Sequence, residues 1–206
     1  MSDVQFWFEF ASTYSYLAAM RIEQVAAEAG VPIVWRPFLL GPLFKRQGWN
    51  DSPFNIYPAR GRYMLRDIER RCAAYGIPFR RPTQFPRHSL LAARVACAAQ
   101  EEPWLPEFAR RVYTANFGED RDISERPLIT SILDSLGLDG SGLVARTAEP
   151  VCKERLRLQT EQAWESGVFG APTFIVDSEI FWGNDRMEEA LEWHRKGAAG
   201  GNPSPF

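Results

Sequence analysis

Cysteine and histidine are both scarce in this chain. Cys72, Cys97 and Cys152 are scattered singly through 206 residues, and His88 and His194 are the 2 histidines. No two cysteines stand at the Cys-x-x-Cys spacing of a dithiol redox site or at the spacing of a structural zinc site, and their odd number suits a reducing compartment. Cys72 and Cys97 fall in alanine-rich helical patterns, where a thiol serves as a small packing group. Neither histidine has a neighbour at metal-ligand spacing, and neither carries a motif that would make it the base of a serine hydrolase. No Gly-x-Ser-x-Gly elbow occurs. Both histidines are therefore read as surface or helix residues. Apolar runs are short as well: none approaches the roughly 18 residues that span a bilayer, so no membrane partner is expected. The opening MSDVQFWFEF has no basic n-region and no small-residue cleavage site, so export is not expected and a cytoplasmic location is. An excess of one charge is also lacking, with 24 Lys+Arg against 26 Asp+Glu. That balance gives no electrostatic case for nucleic acid, and the pairs Arg70-Arg71 and Arg80-Arg81 read as solvated faces.

What remains is an ordinary globular composition, 45% hydrophobic and 24% charged, long enough to bury a real core. Val4 to Phe10 reads as a strand rich in aromatic residues. Ser12 then suits a helix N-cap, and apolar residues recur at helical spacing from Leu17 until Gly30 closes the run. Pro32 to Phe38 reads as a second strand, parallel to the first by the crossover rule. From Leu39 to about Glu149 the pattern changes to helices punctuated by Pro and Gly. The spacing predicts helices over 62–75, 89–100, 104–117 and from Ser124 to Leu136, followed by another over roughly 145–166. Thr173 to Asp177 and Glu179 to Trp182 form a hairpin through Asp177-Ser178, and a last helix runs from Asn184 or Asp185 to about Lys196. This order is α/β: a thioredoxin-like fold interrupted by a large all-helical insertion domain. The thioredoxin-like part takes residues 1–38 and 150–198, the insertion 39–149, and a C-terminal tail 199–206.

In a redox thioredoxin-type protein a Cys-x-x-Cys pair would occupy the strand-to-helix turn, where this chain has Ser12-Thr13-Tyr14-Ser15. Four segments, FEFASTYSYLA at 8–18, RPFLLGPLFK at 36–45, GVFGAPTF at 167–174 and FWGNDRM at 181–187, resemble in order and spacing one known group. It is the 2-hydroxychromene-2-carboxylate isomerase and kappa-class glutathione transferase branch of the DsbA-like thioredoxin-fold proteins, and the resemblance covers nearly the whole chain. It implies glutathione as cofactor and a small-molecule substrate. Ser12 stands where redox relatives have their first cysteine, so its hydroxyl is expected to hydrogen-bond the glutathione thiolate, beside its plainer role as N-cap. The resemblance makes the Ala171-Pro172 bond cis and assigns Ala171 and Pro172 to the cysteinyl backbone of glutathione. Asn184 and Asp185 fall to the γ-glutamyl end, with helix capping as a compatible use. Lys45 and Asn55 are the expected substrate residues, with Asn50 a rival to Asn55. Thr13 departs from the family, which commonly has proline there.

The implied activity is a glutathione-dependent isomerisation of 2-hydroxychromene-2-carboxylate or a related aromatic or unsaturated acid. In it the thiolate adds reversibly to a double bond. A kappa-like glutathione transferase is the alternative. A disulfide oxidoreductase would need cysteines at 12 and 15, and a non-catalytic binding module would show no turnover. The apolar helices of the insertion fit either core or the interface of a homodimer.

Overall fold

A computed structural model describes residues 3–199. The expected tail lies outside the described residues, apart from Ala199, which closes the last helix. Alternation decides the first strand: in β1 (Val4–Phe8) the side chains of Phe6 and Phe8 join one hydrophobic cluster and that of Trp7 another, on the opposite face. The Phe6 ring lies 5.0 Å from Trp35 of β2 (Ile33–Pro37) and 5.4 Å from Phe174 of β3 (Thr173–Val176). Burying each such ring contributes about 1.5–3 kcal/mol. β4 (Glu179–Trp182) completes a sheet in the order β2-β1-β3-β4. β1 and β2 are parallel, as a crossover through α1 (Thr13–Ala29) requires, and the other two pairings are antiparallel. Gln5, Phe6 and Trp7 thus pair with Ile175, Phe174 and Thr173, joining the two ends of the chain.

Between β2 and β3 come α2 (Leu40–Arg46), α3 (Pro53–Ile56), α4 (Pro58–Tyr75), α5 (Leu90–Ala98), α6 (Leu105–Tyr113), α7 (Arg126–Asp134), α8 (Gly140–Arg146) and α9 (Pro150–Glu165). The Phe6 cluster runs on into these helices through Met64, Ile68, Phe108, Val112 and Ile129, and α10 (Met187–Ala199) adds Leu191. On the other face Trp7 packs with Phe38, Ala163 of α9 and Val168.

The α/β thioredoxin-like architecture read from the sequence is the one observed, but several boundaries move. β1 stops at Phe8, because Glu9 and Phe10 turn inward and give their carbonyls to Tyr113 and Asn116. The helix expected over 104–117 ends at Tyr113 and continues as a wider π turn, Thr114–Gly118. That over 145–166 is two helices, since Pro150 has no N–H to continue a helix and opens α9 instead. α4 begins at Pro58 rather than Arg62 for the same reason.

Candidate active site

One open cleft of about 1490 Å³ gathers the ends of these elements. Its floor is the turn from Glu9 to Tyr14, and one wall is Phe169–Ala171 with Gly183–Arg186. The facing wall comes from α2, the start of α4 and the segment 85–90. The volume exceeds the range of about 300–1,000 Å³ common for small-ligand sites.

Ser12 is the N-cap of α1: its backbone is extended, and its hydroxyl accepts the N–H of Ser15 at 3.1 Å. The same hydroxyl donates its proton to the carbonyl of Ala171 across the cleft, at 2.9 Å. The first N–H groups of a helix have no acceptor inside it, and in α1 the Ser12 hydroxyl satisfies that of Ser15. Thr13 is buried with its hydroxyl on the sulfur of Met64 at 3.2 Å, while Tyr14 donates to Asp67 at 3.1 Å. Burial first, and then the Asp67 charge, push the Tyr14 hydroxyl well above the usual phenol range.

The Ala171-Pro172 bond is cis. The Pro172 carbonyl accepts the N–H of Gly183 at 2.9 Å, which ties this wall together. A Cβ at Gly170 would meet the indole of Trp182, which would have to shift to admit it. Asp185 reaches the cleft with an exposed carboxylate, 3.9 Å from Arg186. Asn184 is 3% exposed, and its side-chain oxygen accepts from Arg21 of α1 at 3.4 Å.

Lys45 is exposed on the facing rim. Asn55 is not brought to the cleft: its amide donates to both Asp51 oxygens, at 3.2 and 3.1 Å, and to the Phe85 carbonyl at 3.2 Å. Asn50, its rival, lines the cleft. The helical turn of α3 explains the difference, since it swings Asn55 back over Asp51.

Three cleft groups escaped the sequence reading. Glu9, 5% exposed, accepts the N–H of Ala11 at 2.9 Å and the hydroxyl of Ser89. Burial pushes its carboxyl up to about 7, against the opposing pull of those two donors. The available signal was an acid set between two phenylalanines in FEF, where an exposed charge is out of place. His88 lies on the cleft wall and is exposed. Arg71 of α4 lines the cleft within reach of the Asp67 and Asp185 charges, with its side chain still 43% exposed. The cysteines stay out of the chemistry: all three are buried and unpaired, and burial pushes the Cys72 and Cys97 thiols up to about 11. Among the described residues no group of three potential ligands could hold a metal ion, and no helix is long and apolar enough to cross a membrane.

A mixed sheet with a cis proline opposite the start of the first helix, and serine where a reactive cysteine would stand, defines a thioredoxin-type binding fold without its dithiol. The chain belongs to the DsbA-like thioredoxin domain family, whose sequence model matches residues 3–192. It is 30% identical over 187 residues to a 2-hydroxychromene-2-carboxylate isomerase of Sphingobium xenophagum, covering 90% of this chain and 94% of that protein. Human glutathione S-transferase kappa 1 is 28% identical over 90% of this chain and 87% of its own. A solved selenomethionine structure of 2-hydroxychromene-2-carboxylate isomerase matches with a TM-score of 0.85 at 28% identity, covering 96% of this chain and 98% of that one.

Proposed function

We propose that this protein is a glutathione-dependent isomerase acting on 2-hydroxychromene-2-carboxylate or a related aromatic or unsaturated acid. The observation that carries the reading is the Ser12 hydroxyl, set at the N-terminus of α1 and bonded across the cleft to the carbonyl next to a cis proline. The isomerase and transferase relatives over most of the chain support it. The donor set fits glutathione: first-turn amides for a thiolate, the Ala171 backbone for a peptide, and the exposed Asp185 carboxylate for an ammonium.

When bound, glutathione would supply a thiolate nucleophile for reversible addition to the substrate double bond. Ser12 and the α1 amides hold the sulfur charge and lower the thiol pKa. Ala171 and Pro172 fix the cysteinyl backbone, and Asp185 orients the glutamyl end beside Asn184. Lys45 takes the substrate carboxylate, and Asn50 rather than Asn55 is the amide that faces the substrate. The protein's contribution is orientation and electrostatics, and the nucleophile belongs to the cofactor.

The test is a calorimetric titration with reduced glutathione beside the Asp185→Ala variant, followed by an isomerisation assay on the chromene carboxylate. Saturable binding weakened in the variant, with turnover that regenerates glutathione, is the expected outcome. Turnover that consumes glutathione would identify a transferase instead, and no binding at millimolar glutathione would sink the reading.

A further inference from the structure

We infer that Glu9 takes up the thiol proton when glutathione docks beside Ser12 and returns it when the thiol is released. The inference rests on the glutathione reading above. Glu9 lines the floor of the same cleft and is almost wholly buried. Its Oε2 accepts the Ala11 N–H at 2.9 Å, which lays the carboxyl against the turn whose next residue is Ser12. Its other oxygen takes the hydroxyl of Ser89, itself a cleft residue.

Both donors are neutral. From α6, Tyr113 bonds the Glu9 backbone carbonyl at 2.9 Å, not the carboxyl. Arg87, one residue before His88, spends its guanidinium on Asn116, Thr83 and Asp120. His88 is exposed on the cleft wall, and α1 and α4 bring to the cleft Tyr14 and Asp67, a phenol bonded to an acid, with Arg71 held by Asp67 at 3.7 Å. With no cation among the influences on it, the carboxyl answers chiefly to burial, which brings it to about 7. It therefore changes charge in the range where a thiol held by Ser12 and helix amides does so.

The transfer balances. The S–H bond breaks, an O–H bond forms on Glu9, and the electron pair stays on sulfur. One negative charge arrives at the turn as another leaves, so the floor never holds two neighbouring anions, whose repulsion would oppose thiolate formation. Nothing besides the thiol and the carboxyl is consumed.

Proton release on binding reads this directly. Reduced glutathione is titrated calorimetrically in two buffers of different ionisation enthalpy, with ultraviolet absorbance reporting the thiolate. At about pH 8, where Glu9 is ionised beforehand, the wild type is expected to form thiolate while releasing almost no proton. Glu9→Gln is expected to release about one per molecule bound. At about pH 6 Glu9 starts protonated, and the wild type is expected to release its proton as the variant does. Ser89→Ala removes a donor that favours the charged carboxyl, so it moves this crossover to higher pH and keeps the test open if Glu9→Gln fails to fold.

Thiolate formation with about one proton released by the wild type at both pH values overturns the assignment and leaves the glutathione site standing. A crossover unmoved by Ser89→Ala, or glutathione bound without thiolate, overturns it too. No saturable binding removes the cofactor reading, and the proton role falls with it.

Discussion

Replacing Glu9 by glutamine should flatten the pH dependence of stability between about pH 5 and pH 8. In the unfolded chain the carboxyl titrates at its ordinary 4.5; in the fold, burial moves it to about 7. Between those values the folded protein keeps a proton that the unfolded chain gives up, so stability falls as pH rises through the interval. Below it both states are protonated, and above it both are ionised. At about 1.4 kcal/mol per pH unit, the interval from 4.5 to about 7 amounts to about 3 kcal/mol lost on going to pH 8. No discount for solvent applies, because the carboxyl is buried. Glutamine keeps the shape of the protonated acid, with an oxygen for the Ala11 N–H and an amide for Ser89, but has no proton to lose. Urea unfolding of both proteins at the two pH values gives the comparison. Part of that loss already lies below pH 5, so the variant should gain about 2–3 kcal/mol on the wild type between the two pH values, or about 4–12 °C in melting temperature for a chain of this size. Parallel curves, with a constant gap from pH 5 to pH 8, would show that Glu9 ionises without cost and would refute the reasoning.

Ser12→Ala removes both a cap and the hydroxyl that faces Ala171. It should cost about 1 kcal/mol of stability and, in the proposed reading, raise the pKa of bound glutathione; full turnover with glutathione bound would exclude Ser12 from the chemistry. Asn116, buried in the π turn, donates to the Phe10 carbonyl and accepts from Arg87, each at 3.0 Å. Asn116→Ala strands the Phe10 carbonyl, while Arg87 keeps the backbone carbonyl of residue 116 at 3.0 Å, and should cost about 1–3 kcal/mol by chemical denaturation; a loss under about 1 kcal/mol would mean that water replaces the amide. Gly61→Ala puts a Cβ into the backbone carbonyl of Phe54. It should lower the melting temperature by several degrees and loosen the α3–α4 wall of the cleft, and an unchanged melting curve would show that the two helices separate at no cost.

The β-α-β start was legible because its signals are local: an aromatic strand, a serine cap, a closing glycine and bracketing prolines all lie within 4–38. The break at Pro150 was equally local and was passed over because the helical pattern runs on both sides of it. The π turn could not be read at all, since Asn116 bonds a carbonyl 106 residues away. The same distinction divides the cleft. Ser12 and Ala171 lie in short motifs, so their meeting could be anticipated. Asn55 is held by the carbonyl of Phe85, 30 residues on, and Glu9 acquires its properties from Ser89, 80 residues on. Pairings of that reach leave no periodicity or spacing in the sequence.

The Ser12 hydroxyl has one proton, and the Ala171 carbonyl already holds it. In the proposed reading, a bound thiolate therefore competes with that carbonyl, and Ser12 contributes only the difference between a charge-assisted hydrogen bond and a neutral one, about twofold in strength before solvent is counted. The competition is relieved if the incoming peptide offers its own N–H to Ala171, for then the carbonyl loses nothing and the hydroxyl is free to turn. Binding of the cysteinyl backbone and stabilisation of the sulfur are thus coupled through a single oxygen. A small thiol without a peptide N–H should fill the same cleft and yet stay largely protonated. Its ultraviolet thiolate signal, measured beside that of glutathione at one pH, checks this, and equal signals from the two would place the stabilisation in the helix amides alone.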